Sequence, residues 1–454
     1  MASGKRGCLA HFAMLAPPLH DQPFTTPTIL EPSNAARKHL QLECSRMLLS
    51  RRCLLQGAAA IAAQVSAPAI LVPSAAHSSV PNASSLRGGE ILPDPEFSLL
   101  HPTEPNIIGV RPHREGGVCL RLEDEPIASA FGPKFLIHNY GHGGAGITLS
   151  FGCASVVADQ VEALSKDMRR TRTKQRVAVI GSGVIGLTVA AELRRRWAWL
   201  PITIYAKELD VRKTTSFKAA GQFEPSGIYE EYETPEQKAV LADYVRRSRN
   251  RIVELYDAAN WSHYGIALRR NYTLDHDMRV FDAFTPEDVV PQPRKGALPF
   301  RMLNAAGREY RTWLINPTIM LPRLVSDLER HGVRFRTRMF ADREAFRELK
   351  ENIIINCTGY GAKALMDDQQ MIARRGHLVI LRKTQPKQFY FFSGGCANHR
   401  MMYVFCRQGD IVVGGTVQQG KDNETKLPAD DAIFRRICDN AANVFAGHPA
   451  ECKW

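Results

Sequence analysis

Arg176-Val-Ala-Val-Ile-Gly-Ser-Gly-Val-Ile-Gly-Leu187 is the stretch whose residue types and spacing point most directly to chemistry. Gly181, Gly183 and Gly186 form a Gly-x-Gly-x-x-Gly run between a β-branched segment, Val177 to Ile180, and a helix-forming segment, Leu187 to Arg196. Each glycine has a separate job. The first makes a tight turn, the second lets backbone approach a pyrophosphate, and the third allows close helix–strand packing. The helix start then offers unpaired N–H groups to the phosphates. Ile202 to Tyr205 reads as the second strand of a βαβ unit, and Glu208 just beyond it is placed to bond the ribose of an adenine dinucleotide. The motif does not separate FAD from NAD.

The surrounding elements must come from a chain of 454 residues, enough for a signal segment plus one large or two medium domains. No window has the run of about 18 strongly apolar residues that a spanning helix needs, so stable membrane insertion is not expected. The net charge of +13 is spread in pairs such as Arg269-Arg270 and Arg374-Arg375, with the densest patch over 166–176. No basic stripe is interleaved with stacking aromatics, so the charge reads as a solvated face or a field for anionic substrates, and nucleic acid is not expected. The 10 cysteines form no CxxC pair and no metal-type spacing with histidine, which predicts scattered thiols and no metal.

Residues 1–46 read as a disordered extension, or as sequence upstream of a true start at Met47. Ser50-Arg51-Arg52-x-Leu54-Leu55, a mildly apolar Ala-rich run and Ser74-Ala75-Ala76 resemble a twin-arginine export signal over 47–76. The alternative is an Ala-rich helix of the mature fold in a cytoplasmic protein. Residues 77–105, with prolines at 81, 93, 95 and 102, read as a linker.

A second dense signal precedes the glycine run. Phe135-Leu-Ile-His-Asn-Tyr-Gly-His-Gly-Gly-Ala-Gly-Ile-Thr-Leu-Ser-Phe-Gly-Cys-Ala154 reads as a strand, a glycine-rich loop and a helix continuing to about Leu164. It resembles the signature of the D-amino-acid oxidase family. Gly109-Val-Arg-Pro-His-Arg114 resembles that family's Arg-Pro strand. Thr214-Thr-Ser with Ala219-Ala-Gly-Gln-Phe-Glu-Pro225 resembles its flavin loop, and Ile353-Ile-Ile-Asn-Cys-Thr-Gly359 a later strand of its cofactor domain. Arg375-Gly-His-Leu378 and Ile411-Val-Val-Gly-Gly-Thr416 resemble strands of its substrate domain. The resemblance covers roughly 106–454 and makes Gly181 to Gly186 an FAD fingerprint.

The order differs from the family's, in which the Arg-Pro strand and the His-Asn-Tyr-Gly loop close the chain. A circular permutation is therefore expected, with 106–165 as the displaced C-terminal part, 166–176 as a basic linker, and 177–454 as the FAD-binding domain with the substrate domain interleaved. A fragment of a tandem or misassembled gene is the alternative. The implied fold class is α/β, a doubly wound, Rossmann-like FAD-binding domain interleaved with an antiparallel-sheet substrate domain.

By the resemblance, Arg111 holds the substrate carboxylate, since a guanidinium suits a bidentate grip. Tyr403, twelve residues before Gly415, donates to the same carboxylate, the plainer alternative being an aromatic on a buried strand. His399 replaces a second lid tyrosine, and the Gly144 carbonyl accepts from the substrate amine. The FAD positions are Gly181, Gly183, Gly186, Glu208, Thr214, Thr215, Ala220, Gly221, Phe340, Thr358, Gly143, Ile147 and Thr148. Ile147 and Thr148, at a helix start, would offer N–H groups to the flavin pyrimidine edge. His138 and His142 read as supports of the loop. Glu224 either favours a basic substrate side chain or only bonds the loop, with D-aspartate still open. The implied reaction is oxidative deamination of a D-amino acid, with hydride leaving the α carbon for flavin N5 and oxygen reduced to hydrogen peroxide. A related amine dehydrogenase or secondary-amine oxidase, and a silent FAD-binding protein, remain open, as does a homodimer.

Overall fold

A computed structural model describes Leu86 and residues 90–170, 174–255, 263–274, 293–303, 305–394 and 402–448. The chain divides into units Met1–Ser78 and Ser79–Trp454, and every described residue belongs to the second. The extension, the twin-arginine segment and His399 lie outside the described residues.

In chain order the elements begin with β1 (Asn106–Arg114), β2 (Cys119–Leu122), β3 (Phe135–Tyr140) and α1 (Gly146–Arg170). The glycine run follows inside β4 (Val177–Ile180), α2 (Val184–Arg196) and β5 (Ile202–Ala206). Next come α3 (Pro235–Leu255), β6 (Ile266–Leu274), β7 (Arg294–Ala297), β8 (Ala306–Ile315), α4 (Pro317–Arg330) and β9 (Arg334–Thr337). The last are β10 (Ile353–Asn356), α5 (Ala362–Leu365), β11 (Met371–Arg382), β12 (Tyr390–Ser393), β13 (Tyr403–Cys406), β14 (Asp410–Gly414), β15 (Gln418–Gln419) and α6 (Asp430–Phe445).

Two sheets organise these elements. The smaller has the order β2-β3-β10-β4-β5-β9, parallel from β3 to β9, with β2 antiparallel at one edge. Its central strands are buried along their whole length, as β-branched runs are when both faces are covered. Residues of α1, α2 and α4 pack on one face with Val177, Val179, Ile202 and Ile353. Phe340, Phe346, Leu349 and Leu365 cover Ala178, Ile180 and Ile354 on the other. The chain runs outward from β4 through β5 to β9, then returns to β10 on the far side of β4. This is a topological switch point, and ligands of such sheets bind at the strands' carboxyl ends beside it.

The larger sheet runs β1-β11-β14-β13-β12-β6-β8-β7, with β15 also on β11. It is antiparallel except for β12 against β6. β1 pairs with β11 over nine residues, Asn106 opposite Val379 through Arg114 opposite Met371. Segment 106–165 thus supplies strands to both sheets.

Two boundaries differ from expectation. α1 continues to Arg170, into the stretch read as linker, carried by i,i+4 support such as Glu162 to Lys166. Residues 90–105 are not loose, because their backbone bonds to the larger sheet and to the loop after β7. Leu92 N donates to Pro299 O, His101 N to Ile380 O, and the Tyr390 hydroxyl to Pro93 O. The stretch Gly143–Lys166 is long and apolar enough to cross a membrane by length and composition, but 67% of its most apolar part is buried inside the fold.

Candidate active site

The loops that leave the carboxyl ends of β3, β4, β5 and β10 surround one cavity of about 1320 Å³. Ile180 to Ile185, Lys207, Glu208, His142 to Gly144, Gly146, Ile147 and Cys357 to Gly361 all line it. The starts of α1 and α2 therefore face the same space, and each brings the positive end of a helix dipole. Gly181 sits at φ +122°, where a side chain would also meet the Cys357 carbonyl at 2.4 Å. Gly186 lies behind the wall, where a Cβ would stand 2.0 Å from the Gly181 carbonyl oxygen. Its job is helix–strand contact.

The larger sheet closes the other side of the cavity. Arg111 of β1 lies across Gly376 of β11, whose missing side chain makes the room: a Cβ there would sit 2.2 Å from Arg111 Nη1. Arg111 Nη1 donates to the Thr416 carbonyl at 3.0 Å, and the guanidinium lies near the Tyr403 hydroxyl. Burial raises the pKa of that hydroxyl, with Arg111 opposing the rise, so it stays a donor. Thr416 is fixed in turn by His377, whose backbone N–H donates to Thr416 Oγ1 at 3.1 Å and whose Nδ1 lies 2.6 Å from it. His377 Nε2 contacts Asp430 at 3.1 Å, and Asp430 takes a bidentate grip from the buried Arg375. That guanidinium holds the Asp430 carboxyl well below its ordinary pKa.

The structure brings together Arg111, Tyr403 and Gly144 with Gly181, Gly183, Glu208, Thr214, Thr215, Ala220, Gly221, Phe340, Thr358, Gly143 and Ile147 in the wall of one cavity. Thr148 is not in it. Its hydroxyl donates to the Glu224 carbonyl at 2.7 Å and accepts from Glu224 N at 2.9 Å, tying α1 to the neighbouring loop. The Glu224 carboxylate receives the Tyr310 hydroxyl at 3.4 Å. Glu208 is paired with Lys213 at 2.7 Å. His138 faces away, 3.0 Å from Glu123, whereas His142 lines the cavity. The pair Arg374-Arg375, part of the charge read as a solvated face or a field for anionic substrates, is split by strand alternation: Arg374 lines the cavity and Arg375 is buried in the sheet's ion network.

Four buried polar atoms of residues in this wall lack partners: Asn139 Oδ1 and Nδ2, His142 Nε2 and Arg374 Nε. Buried polar groups are nearly always bonded, so orphans lining a large cavity point to a ligand with polar edges. The glycine turn, the two helix starts, these orphans and the volume together fit a flavin dinucleotide. Asn139 stands in the signature but carries no local sign of a role; Arg374 and Gly376 lie in β11 and Thr416 in the loop after β14, and only the fold brings them to Arg111.

The profile of the FAD dependent oxidoreductase family (DAO) matches residues 176–454. The chain belongs to that family. It is an FAD-dependent oxidoreductase. Human D-aspartate oxidase is 25% identical over 260 residues, covering 55% of this chain and 70% of the relative. The D-amino-acid oxidase of Streptomyces coelicolor is 25% identical over 271 residues, covering 60% and 79%. Among solved structures, glycine oxidase from Geobacillus kaustophilus is 14% identical, covers 60% of this chain and 79% of that one, and has a TM-score of 0.44.

Proposed function

We propose that this oxidoreductase converts a D-amino acid to its 2-oxo acid and ammonia, with oxygen as acceptor and hydrogen peroxide as the second product. The observation that carries the reading is Arg111, held over Gly376 by the Thr416 carbonyl and beside Tyr403, facing the cavity of the dinucleotide turn. A fixed guanidinium suits the α-carboxylate of the substrate, and the Tyr403 hydroxyl suits the same group. The Gly144 carbonyl accepts from the amine, which must arrive neutral. Alignment then does most of the work, and no strong base is required. Bound FAD supplies the two-electron acceptor. The α carbon loses its hydrogen with the bonding pair, and the amine nitrogen closes the C=N bond. Water converts the imine to 2-oxo acid and ammonia, and oxygen takes two electrons and two protons.

For the cofactor, Gly181, Gly183 and the start of α2 suit the pyrophosphate, and Glu208 the ribose. Gly143, Ile147 and the start of α1 suit the flavin ring. Thr214, Thr215, Ala220, Gly221, Phe340 and Thr358 complete the cradle in this reading. D-configuration is supported by the signature from Leu136 to Ala154 and by the D-oxidases among the matched relatives.

The test is peroxide release in air on a panel of D- and L-amino acids. Peroxide and 2-oxo acid in equal amounts with D-forms alone are expected. For Arg111→Ala the half-saturating concentration should rise about 100-fold, as loss of a bidentate charged contact implies. Peroxide from secondary amines alone would favour the alternative amine oxidase, and flavin reduction without peroxide a dehydrogenase.

A circular permutation accounts for the order of the elements. It is supported by the nine-residue pairing of β1 on β11, by β3 beside β10, and by α1 leading back toward β4. Export by the twin-arginine route rests on Ser50 to Leu55 and the small residues after Val72. N-terminal sequencing of the mature protein near Ser74 to Ala76 tests it.

A further inference from the structure

We propose that Arg374 reads a second carboxylate on the substrate, so that the enzyme takes an acidic D-amino acid. The inference rests on the D-amino-acid reading above and names its substrate class.

Arg374 stands directly opposite Arg111 in the β1–β11 ladder. Residues so opposed share one face of the sheet, with Cβ atoms roughly 5 Å apart. Both side chains line the same cavity. Arg111 lies across Gly376, to one side of Arg374, and is held by the Thr416 carbonyl.

Arg374 is less well matched. Its nearest carboxylate, Glu231, is 4.0 Å away, and Glu231 is already bonded to His113 Nε2 at 2.8 Å and Gly116 N at 2.9 Å. Arg374 Nε is buried without a partner. Like charges directly opposed across a ladder are unfavourable, and a neutral substrate side chain leaves them so. A substrate with carboxylates at both ends of a short chain answers both guanidinium groups. The carboxylate that would instead favour a basic substrate, Glu224, already receives the Tyr310 hydroxyl.

The experiment uses the full FAD-loaded chain under argon, reading flavin bleaching by D-aspartate, D-alanine and D-arginine. Half-saturation at least tenfold lower for D-aspartate than for D-alanine is expected. Arg374→Gln should shrink that ratio at least tenfold, and Arg374→Lys should restore part of it. Succinate and butyrate, which differ by one carboxylate, give a second readout through the visible spectrum without turnover: succinate should bind more tightly, and Arg374→Gln should abolish the difference. A preference for D-alanine or D-arginine, or a ratio unmoved by Arg374→Gln, overturns the inference. If no D-amino acid bleaches the flavin while succinate still outbinds butyrate through Arg374, the D-amino-acid reading fails and the two-carboxylate site stands. Failure of both readouts removes both.

Discussion

Gly376→Ala perturbs the substrate arginine without touching the cofactor turn. The added Cβ would stand 2.2 Å from Arg111 Nη1, 2.8 Å from Cζ and 2.9 Å from Nη2. Ordinary contact begins near 3.4 Å, so the guanidinium must retreat by roughly 1 Å, a displacement that costs on the order of 100-fold when it misplaces a reacting group. The clash is with the far end of a flexible side chain, so the strand itself can keep its pairing. The expected result is a half-saturating D-amino acid concentration raised 10- to 100-fold in anaerobic flavin bleaching, with visible spectrum and melting temperature close to those of the parent. That range corresponds to losing about one charged hydrogen bond, roughly 1.5–3 kcal/mol. Gly409→Ala is the control, because nothing lies within 4 Å of a Cβ at that position. An FAD-loaded Gly376→Ala protein with unchanged half-saturation would refute the assignment of Arg111 to the carboxylate.

Gly186→Ala should part α2 from β4, because its Cβ would meet the Gly181 carbonyl oxygen at 2.0 Å. Loss of yellow colour and about 1–3 kcal/mol of stability in denaturant titration are expected. Asp430→Ala leaves the buried Arg375 uncompensated and should cost about 3–5 kcal/mol in the same assay, with Asp430→Asn recovering part. His142 is pushed down by burial to about 3, against about 6.5 when unfolded, so it is neutral in the fold. Its contribution is complete above about pH 6.5 and is lost as pH falls toward 3, at up to about 1.4 kcal/mol per pH unit. Stability measured in denaturant should therefore fall from pH 6.5 to 5, and His142→Gln should flatten that slope. An equal slope in the variant would contradict it.

Much of the cofactor half was legible because its demands are local. A β-branched strand, glycines spaced for a turn and a close helix, and a following strand are written in consecutive residues from Arg176 to Tyr205. The signature from Leu136 to Ala154 is equally continuous, and the fold places its loop opposite that turn. The substrate half was harder. Arg111 and Thr416 are 305 residues apart and meet only because β1 docks on β11 and Gly376 stays bare. Arg374 and Arg375 look alike in sequence, but alternation sends one to the cavity and the other to Asp430. Thr148, expected to offer its backbone N–H to the flavin, also ties α1 to Glu224 through its hydroxyl, a contact 76 residues away in sequence. Prolines made 90–105 read as linker, whereas its backbone is bonded to sheet residues nearly 300 positions away.

The most direct measurement is the visible spectrum of the FAD-loaded full chain under argon, before and after D- and L-amino acids are added in separate cuvettes. The account predicts a yellow protein that bleaches with the D-forms and not with the L-forms. A yellow protein that no D-amino acid bleaches, or one that bleaches with L-forms instead, would contradict it.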